Sequence, residues 1–212
     1  MRLINFEFKW NASQLTKKDI FRKYDSILNH QLEGFGTLNY MTSHDDGQPF
    51  DKERKKSFEA GTLLLLSPGA SQIYYGDETK RSLTIEGTKG DATLRSFMNW
   101  SQVEADTSVR STLVHYQKLG QFRKNHPAVG AGRHHLISEK PFVFTRTLNT
   151  GEFDDEVTIA LDLQAEDIDI PVSKTYKDGT TLLDYYSGHS YTVNSGHVRV
   201  KPTNGIVLLE KM

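Results

Sequence analysis

Two stretches of the sequence share one pattern, a short apolar segment of strand character that ends directly in a polar cluster. Residues 38–46 alternate between apolar and polar side chains before a final His-Asp-Asp, and residues 72–78 lead from Gln-Ile-Tyr-Tyr into Gly-Asp-Glu. Between them, residues 52–66 have helical character, with Asp51 as a predicted cap. This alternation predicts βαβ units and a parallel sheet. A strand that delivers ionisable side chains at its C-terminal tip is what an α/β barrel needs for a site.

The rest of the first half fits this α/β pattern. Residues 1–10 are predicted as a strand, and Thr16 as the N-cap of a helix with its apolar residues on one face. Residues 79–103 show no clear period and are predicted as a long loop, which in a compact domain is more often functional than idle. A third helix is predicted over residues 106–125 and ends before Pro127, because the residue preceding a proline avoids helical angles.

The character of the sequence changes after Pro127. Short β-type runs alternate with turn signals such as Asp178-Gly179 and Asn204-Gly205. These runs are residues 142–145, 157–161, 181–185, 191–193, 198–200 and 206–209. Regular short strands with such turns predict an antiparallel sandwich. We therefore expect two domains, residues 1–127 and residues 128–212.

Composition excludes several classes of protein. The 212 residues carry a formal net charge of -1, so no global field favours binding to nucleic acid or an anionic membrane. The sequence lacks an apolar run of about 18 residues, the length that a membrane-spanning helix needs. Glu7 and Lys9 come too early for the apolar core of a signal peptide. Because cysteine is absent, disulfides and thiolate metal sites are excluded.

Three segments of the sequence resemble the α-amylase family of glycoside hydrolases. Thr-Ser-His-Asp at residues 42–45 resembles the motif at the end of the family's seventh barrel strand, which is usually Asn-His-Asp. Residues 70–78 closely match the eighth-strand segment, and residues 94–100 resemble the loop that follows it. The order of elements also matches, with a last barrel helix and a small β-sandwich called domain C. Residues 183–188 resemble a segment that recurs in domain C of the family, where it leads into a β-hairpin.

The resemblance implies a fold of two parts. Residues 1–127 would be the last βα units of a TIM barrel, about strands 6 to 8 and helix 8, and residues 128–212 the antiparallel β-sandwich domain C. A complete barrel of this type takes roughly 250 residues, so we expect the chain to be a C-terminal part. The family's nucleophile lies in a Gly-x-Arg-x-Asp motif that is absent from this sequence. Its general acid, at the end of strand five, is expected before Met1.

The same resemblance assigns the candidate site residues. Asp45 would be the third catalytic carboxylate, which hydrogen-bonds sugar hydroxyls and favours the oxocarbenium-like transition state. His44 would bind the same sugar, and Ser43 stands where the family has an Asn but keeps a hydroxyl that can hydrogen-bond. Asp77 and Arg95 are further substrate-binding candidates near the rim of the site.

Each of these assignments has a structural alternative. Residues 44–45 also fit a capped strand end, residues 77–78 fit a turn of solvated charges, and Arg95 fits an ion pair with Asp91. For residues 77–78 we favour the solvated turn. The acidic residues within 152–156 are predicted to form a solvated hairpin loop.

The predicted function is that of a part of an α-amylase-like retaining glycosidase acting on α-glucans such as starch and maltooligosaccharides, inactive by itself. The alternative is a non-catalytic carbohydrate-binding module or a scaffold that docks another chain. We expect no cofactor in this segment, because the calcium that the family often binds lies mostly outside it. An incomplete barrel also predicts a partner chain or self-association over its open edges, without which residues 63–66, Ile73 and Tyr40 would be partly exposed. The sequence does not determine the cellular compartment of the protein, and an extracytoplasmic location of the parent protein is one alternative.

Overall fold

The computed structural model describes residues 2–212, which divide into two compact units. The first unit ends at Gly120 and the second begins at Gln121. This division falls inside a long helix, a few residues before the change of character that the sequence predicts at residue 127. Within residues 2–212, none of the helices is long and apolar enough to cross a membrane.

The first unit alternates strands and helices. Its strands are β1 (Arg2–Asn5), β2 (Gly36–Tyr40) and β3 (Ala70–Gln72). Its α-helices are α1 (Phe8–Gln14), α2 (Lys17–Ser26), α3 (Ser57–Leu66), α4 (Trp100–Ala105) and α5 (Thr107–Asn125). A π-helical turn at Ile27–Gln31 extends α2, and a 3₁₀ helix covers Gly90–Leu94. The strands form one parallel sheet in chain order, as the sequence predicts.

A buried amide holds the parallel strands together. Asn39 of β2 lies opposite Asn5 of β1 and accepts a hydrogen bond from its side-chain amide at 2.8 Å. The Asn39 amide in turn donates to the carbonyl oxygen of Pro68, just before β3, also at 2.8 Å. Because a buried polar group is costly unless it is hydrogen-bonded, these contacts favour one register.

The predicted strand over residues 1–10 is wrong beyond residue 5. The Asn5 side chain accepts the backbone N–H of Glu7 and turns the chain, and α1 then begins at Phe8. The predicted cap of the next helix is confirmed, because the Thr16 side chain accepts the backbone N–H of Asp19. The long loop predicted over residues 79–103 is confirmed in outline, although it contains the 3₁₀ helix and the start of α4.

Helix α3 lies in the interior of the first unit. Asp51 stabilises the approach to it by accepting the backbone N–H groups of Lys55 and Lys56 and the hydroxyl of Ser57. The side chains of residues 63–66 are almost completely buried, as is Tyr40. The expectation that these residues would be partly exposed is therefore wrong, because the packing of the unit itself covers them. For Ile73, just after β3, the expectation of partial exposure is confirmed, because its side chain is 41% exposed. Further exposed apolar residues lie on β1 and directly after it, at Leu3, Ile4 and Phe6.

The second unit is built from antiparallel strands. After a short helix, α6 (Ala128–Ala131), come β4 (Arg133–Glu139), β5 (Phe142–Asn149), β6 (Asp154–Leu161), β7 (Ile168–Pro171), β8 (Thr181–Asp184), β9 (His189–Thr192), β10 (His197–Val200) and β11 (Val207–Lys211). One sheet has the order β4-β5-β6-β11-β8-β9, and β10 pairs with β7 in a smaller sheet. The six predicted runs match six of these eight strands, whereas β4 and β7 are not among them.

The two sheets of the second unit share an apolar core. One buried cluster contains Val143, Ala160 and Leu209 of the larger sheet together with Ile170 and Val198 of the smaller one. The predicted turns are present where the sequence places them. Asn204 and Gly205 both have positive φ, 53° and 71°, as a tight two-residue hairpin requires.

A histidine held by two carboxylates lies at the end of α5. The Nδ1 atom of His126 lies 2.8 Å from Oδ1 of Asp155, and Nε2 hydrogen-bonds to Glu210 of β11. The other carboxylate oxygen of Asp155 accepts the backbone N–H of Ala128. Asp155 belongs to β6, and its side chain is only 8% exposed, so the predicted solvated loop is wrong at this residue. Lone buried charges are costly, and this pairing is what makes the burial of Asp155 tolerable.

We expect replacement of His126 by Ala to lower the free energy of unfolding by about 3 kcal/mol, because it leaves two neighbouring carboxylates without their shared partner. Chemical denaturation of the 212-residue chain measures this quantity. His189, which is exposed, is the matched control, and its replacement by Ala should change little. Equal effects of the two substitutions would contradict the role given to His126.

Acid should destabilise the first unit through His115. This buried imidazole approaches the carbonyl oxygen of Phe58 at 3.0 Å and the Thr62 hydroxyl at 3.1 Å. Burial lowers its pKa to about 4, whereas an imidazole in an unfolded chain has a pKa of about 6.5. Between these values the unfolded chain binds a proton that the folded chain does not. The free energy of unfolding should therefore fall by about 3 kcal/mol as the pH falls from about 6.5 to about 4.

Denaturation curves near neutral pH and near pH ~4.5 test this expectation. The variant His115→Gln should lose about 2 kcal/mol less between the two conditions than the unmodified chain does, since pH ~4.5 lies above the lower end of the titration window. If the two proteins showed the same pH dependence, His115 would not be a source of the acid sensitivity.

Candidate active site at the strand tips

The tip that follows β2 presents the carboxylate of Asp45 to solvent. The strand ends at Tyr40, and Ser43 is still buried, whereas His44 and Asp45 are exposed. The Ser43 hydroxyl donates a hydrogen bond of 2.6 Å to Oδ1 of Asp45. This bond holds the pKa of the Asp45 carboxyl below its ordinary value, and the charges of His44 and Arg95 act in the same direction. Asp45 is therefore an ionised, outward-facing carboxylate at neutral pH.

Arg95 reaches this tip from the loop after β3. Its Nε atom donates to the carbonyl oxygen of His44 at 3.2 Å, and its side chain is exposed. This contact differs from the alternative that the sequence suggests, an ion pair with Asp91. The structure thus brings Ser43, His44, Asp45 and Arg95 together in the first unit, whereas their roles in a site stay a prediction.

Asp77, at the tip that follows β3, lies in a different environment. Its side chain is almost completely buried, and Oδ1 lies 2.8 Å from the guanidinium of Arg54. Burial raises the pKa of the Asp77 carboxyl, while Arg54 opposes this effect. Glu78 accepts the backbone N–H of Gly76. The favoured interpretation of residues 77–78 as solvated charges is therefore wrong for Asp77, whereas its contact with a sugar stays a prediction.

A buried arginine that sequence reasoning missed organises the β3 tip. Arg81 is 1% exposed, and its guanidinium donates to the carbonyl oxygens of Tyr75, Leu94 and Ser96. It also lies over the Tyr75 ring, 3.9 Å from the centroid. Gly76 has φ 86°, and a side chain there would meet Arg81 at 2.5 Å. The sequence carries one signal of this arrangement, the glycine itself, but nothing that identifies its neighbour.

Aromatic side chains flank the β3 tip in two different ways. Tyr74 is buried and donates its hydroxyl hydrogen to the carbonyl oxygen of Leu94. Tyr75 is partly exposed, so only one of the two tyrosines belongs to the core. Phe97 is 98% exposed, and Trp100 is also mostly exposed. Exposed aromatic rings of this kind can stack on sugar faces.

The chemistry available at the β2 tip follows from its charges. An ionised carboxylate beside an imidazole can accept hydrogen bonds from ligand hydroxyls and stabilise positive charge that develops on a substrate. Among residues 2–212, no group of three or more His, Asp or Glu side chains is arranged to hold a metal ion.

Replacing Ser43 by Ala should raise the pKa of Asp45 toward its ordinary value, because the hydroxyl is the main group that stabilises the ionised form. Carboxyl ¹³C NMR titration of the chain measures this pKa directly. The exposed Ser101 of α4 is a matched control, and its replacement by Ala should leave Asp45 unchanged. An unchanged pKa in Ser43→Ala would show that the hydrogen bond does not control the charge of Asp45.

Sequence comparison finds a relative for most of the chain. The chain is 36% identical over 148 residues to the periplasmic α-amylase of Escherichia coli K12, a match that covers 68% of the chain and 21% of the relative. The chain thus spans about a fifth of this curated relative's length. No protein-family model matches the sequence.

Solved structures extend the likeness of the fold to nearly the whole chain. An α-amylase from Anoxybacillus superposes with a TM-score of 0.66 at 17% identity, covering 98% of this chain and 47% of the other. AmyP in complex with maltose gives a TM-score of 0.67 at 12% identity, covering 98% and 49%. A cyclomaltodextrinase gives 0.63 at 20% identity, covering 100% and 37%. The chain is therefore similar in sequence to an α-amylase over most of its length, and it is similar in fold to enzymes of the α-amylase family over nearly all of its length.

Proposed function

We propose that the chain contributes one wall of the active site of an α-amylase-type retaining glycosidase. In this proposal Asp45 supplies a carboxylate that stabilises the transition state, and His44 binds the sugar at which the bond is cut. The observation that carries the proposal is the exposed, ionised Asp45 at the carboxyl end of a parallel strand, held by Ser43 in a chain related to α-amylases.

The finer architecture belongs to the same proposal. Residues 1–127 would be the end of a catalytic TIM barrel, and residues 128–212 would be domain C. The parallel order of β1, β2 and β3 supports the first assignment, because barrel strands are parallel and carry site residues on the loops after their carboxyl ends. The antiparallel sheets of the second unit support the other assignment.

The proposed chemistry divides the work among carboxyl groups. In a retaining glycosidase one carboxylate attacks the anomeric carbon while a second group protonates the leaving oxygen, the two lying about 5–5.5 Å apart. Asp45 is proposed to be neither of these, but a third carboxylate that accepts hydrogen bonds from sugar hydroxyls. As the sugar flattens and gains positive charge, an ionised carboxylate there stabilises the transition state more than the ground state.

The neighbouring residues would support Asp45. Ser43 stabilises the negative charge of Asp45 by donating a hydrogen bond to its carboxylate. Arg95 holds the backbone of His44 in place by donating to its carbonyl oxygen. His44 is exposed, so its ring can donate to or accept from a sugar hydroxyl. Asp77, buried against Arg54, would shape the rim of the site, and a sugar would contact it only at the edge of that site.

We propose that the nucleophile and the general acid lie outside these 212 residues. The absence of a Gly-x-Arg-x-Asp motif and the short span relative to the E. coli enzyme support this. An α-glucan is the proposed ligand, supported by the complexes of AmyP with maltose and of its E221Q variant with maltotriose. A partner polypeptide over the exposed Leu3 and Ile4 is part of the proposal, as is an extracytoplasmic parent, which the periplasmic relative supports.

The decisive test places Asp45 in a complete enzyme. The aligned segment of this chain replaces its counterpart in the E. coli periplasmic α-amylase, and hydrolysis of maltoheptaose is measured. We expect the 212-residue chain alone to be inactive and the chimaera to be active. Asp45→Asn in the chimaera should lower kcat by about 10²–10³-fold, because one preorganised charge is lost from the transition state.

Asp91→Asn is the matched control, since Asp91 is an exposed carboxylate of the loop after β3. It should leave kcat within about two-fold of the unmodified chimaera. An active chimaera that tolerates Asp45→Asn would overturn the proposed role. Hydrolysis by the isolated chain would overturn the proposal that the nucleophile lies elsewhere. Calorimetric binding of maltoheptaose that persists in Asp45→Asn would favour a carbohydrate-binding module instead.

A further inference from the structure

A buried ion pair lies directly beside the proposed catalytic carboxylate. Lys9 of α1 contacts the carboxylate of Asp46, and the two side chains are 8% and 9% exposed. The residues are 37 positions apart in sequence, so the contact joins two separate parts of the first unit. Asp46 immediately follows Asp45, yet the two carboxylates face different surroundings, one solvent and the other the interior.

Lys9 fixes more than one group of the loop after β2. Its ammonium also donates to the carbonyl oxygen of Gln48 at 2.8 Å, and Oδ1 of Asp46 accepts the backbone N–H of Gln48 at 3.0 Å. The far end of the loop returns to the strand through the bond from Phe50 N–H to the carbonyl oxygen of Met41. The loop that carries Asp45 is therefore closed around the ammonium group.

Helix α1 is a firm base for this contact. Phe8, next to Lys9, is completely buried and packs on Tyr24 of α2 with ring centroids 5.1 Å apart. Asn11 donates to the Tyr24 hydroxyl at 2.8 Å. An ammonium held on a packed helix loses little further freedom when it pairs, so it can define the position of the loop.

The electrostatic cost also makes the pair hard to replace. Oδ2 of Asp46 is buried and accepts no hydrogen bond from the residues that the structure describes. Without Lys9, the carboxylate of Asp46 would be a buried charge with few compensating contacts. Such a group moves toward water or takes up a proton, and either change would shift the loop.

We propose that Lys9 is a positioning residue for the site, which holds the 44–48 loop and thereby aims Asp45 at the substrate. The identity of the substrate in this inference rests on the proposed function, whereas the ordering of the loop by Lys9 does not. Lys9 touches no substrate in this proposal and acts entirely through Asp46 and Gln48.

The test uses the 212-residue chain and two NMR readouts. In the unmodified chain, the backbone amides of residues 44–48 should be rigid, with order parameters of about 0.85. In Lys9→Met they should fall below about 0.6, and the pKa of Asp45 should rise toward its ordinary value as the Ser43 hydrogen bond loosens. Lys9→Arg should restore the rigid loop at least partly, because it returns a cation to Asp46.

The controls separate positioning from general stability. Lys52→Met removes an exposed lysine and should leave both readouts unchanged. Asp46→Asn keeps the shape of the side chain and removes only its charge, so it reports on the ion pair even if Lys9→Met does not fold. A rigid loop with an unchanged Asp45 pKa in both Asp46→Asn and folded Lys9→Met would overturn the inference.

Titration with maltoheptaose distinguishes this failure from failure of the proposed function. If the sugar shifts the signals of His44 and Asp45 in the unmodified chain and binds at least ten-fold more weakly to Lys9→Met, both ideas are supported. If it binds equally well to both proteins, the positioning role is wrong and the proposed site stands. If the loop loosens in Lys9→Met but no sugar binds to any form at these residues, the positioning of the loop stands and the proposed ligand is wrong.

Discussion

Burial of charged groups behind the strand tips is the constraint on which the candidate site depends. A charge taken out of water must be paired or hydrogen-bonded, because an isolated buried charge costs several kcal/mol. Asp46 meets Lys9, Asp77 meets Arg54, and Arg81 is surrounded by carbonyl oxygens. Each of these pairings joins two loops or a loop and a helix. The loops at the tips are therefore ordered by electrostatics as much as by apolar packing.

The outward face of the same tip has the opposite character. Asp45 is exposed and needs no cation to remain ionised, because water and the Ser43 hydroxyl stabilise it. Adjacent carboxylates thus take different roles, one inside and structural, the other outside and available to a ligand. A single turn of chain can in this way hold one carboxylate in place and leave the next one accessible to a ligand, a combination that preorganised sites require.

The second unit uses charge in a comparable way. His126 joins the end of α5 to β6 and β11 through its contacts with Asp155 and Glu210. The buried Arg146 donates hydrogen bonds from Nε to His134 and from one of its terminal NH groups to the carbonyl oxygen of Val129. These contacts tie irregular segments to the larger sheet. The apolar core between the sheets supplies most of the burial, while the polar contacts specify how the connecting segments meet the sheet.

Much of the fold could be predicted from local sequence. The parallel β2 and β3, the Thr16 cap, the helix ending near Pro127 and most second-unit strands follow from period, caps and turn residues, which act over a few positions. The strand assigned to residues 1–10 fails because the turn at Asn5 depends on a side-chain hydrogen bond that apolar spacing does not reveal. Burial of Asp77 and Asp155 was missed because charge gives a preference for exposure, not a position.

For the candidate site, the sequence by itself determined the type of residue at the tip, a serine, a histidine and two aspartates after a strand, and the resemblance to α-amylases. Only the tertiary structure decided which aspartate faces solvent and which faces Lys9. The physical reason is distance along the chain: Lys9 and Asp46 are 37 residues apart, and Arg95 and His44 are 51 apart. Contacts over such separations arise from the packing of α1 and the β3 loop against β2, which no local pattern encodes.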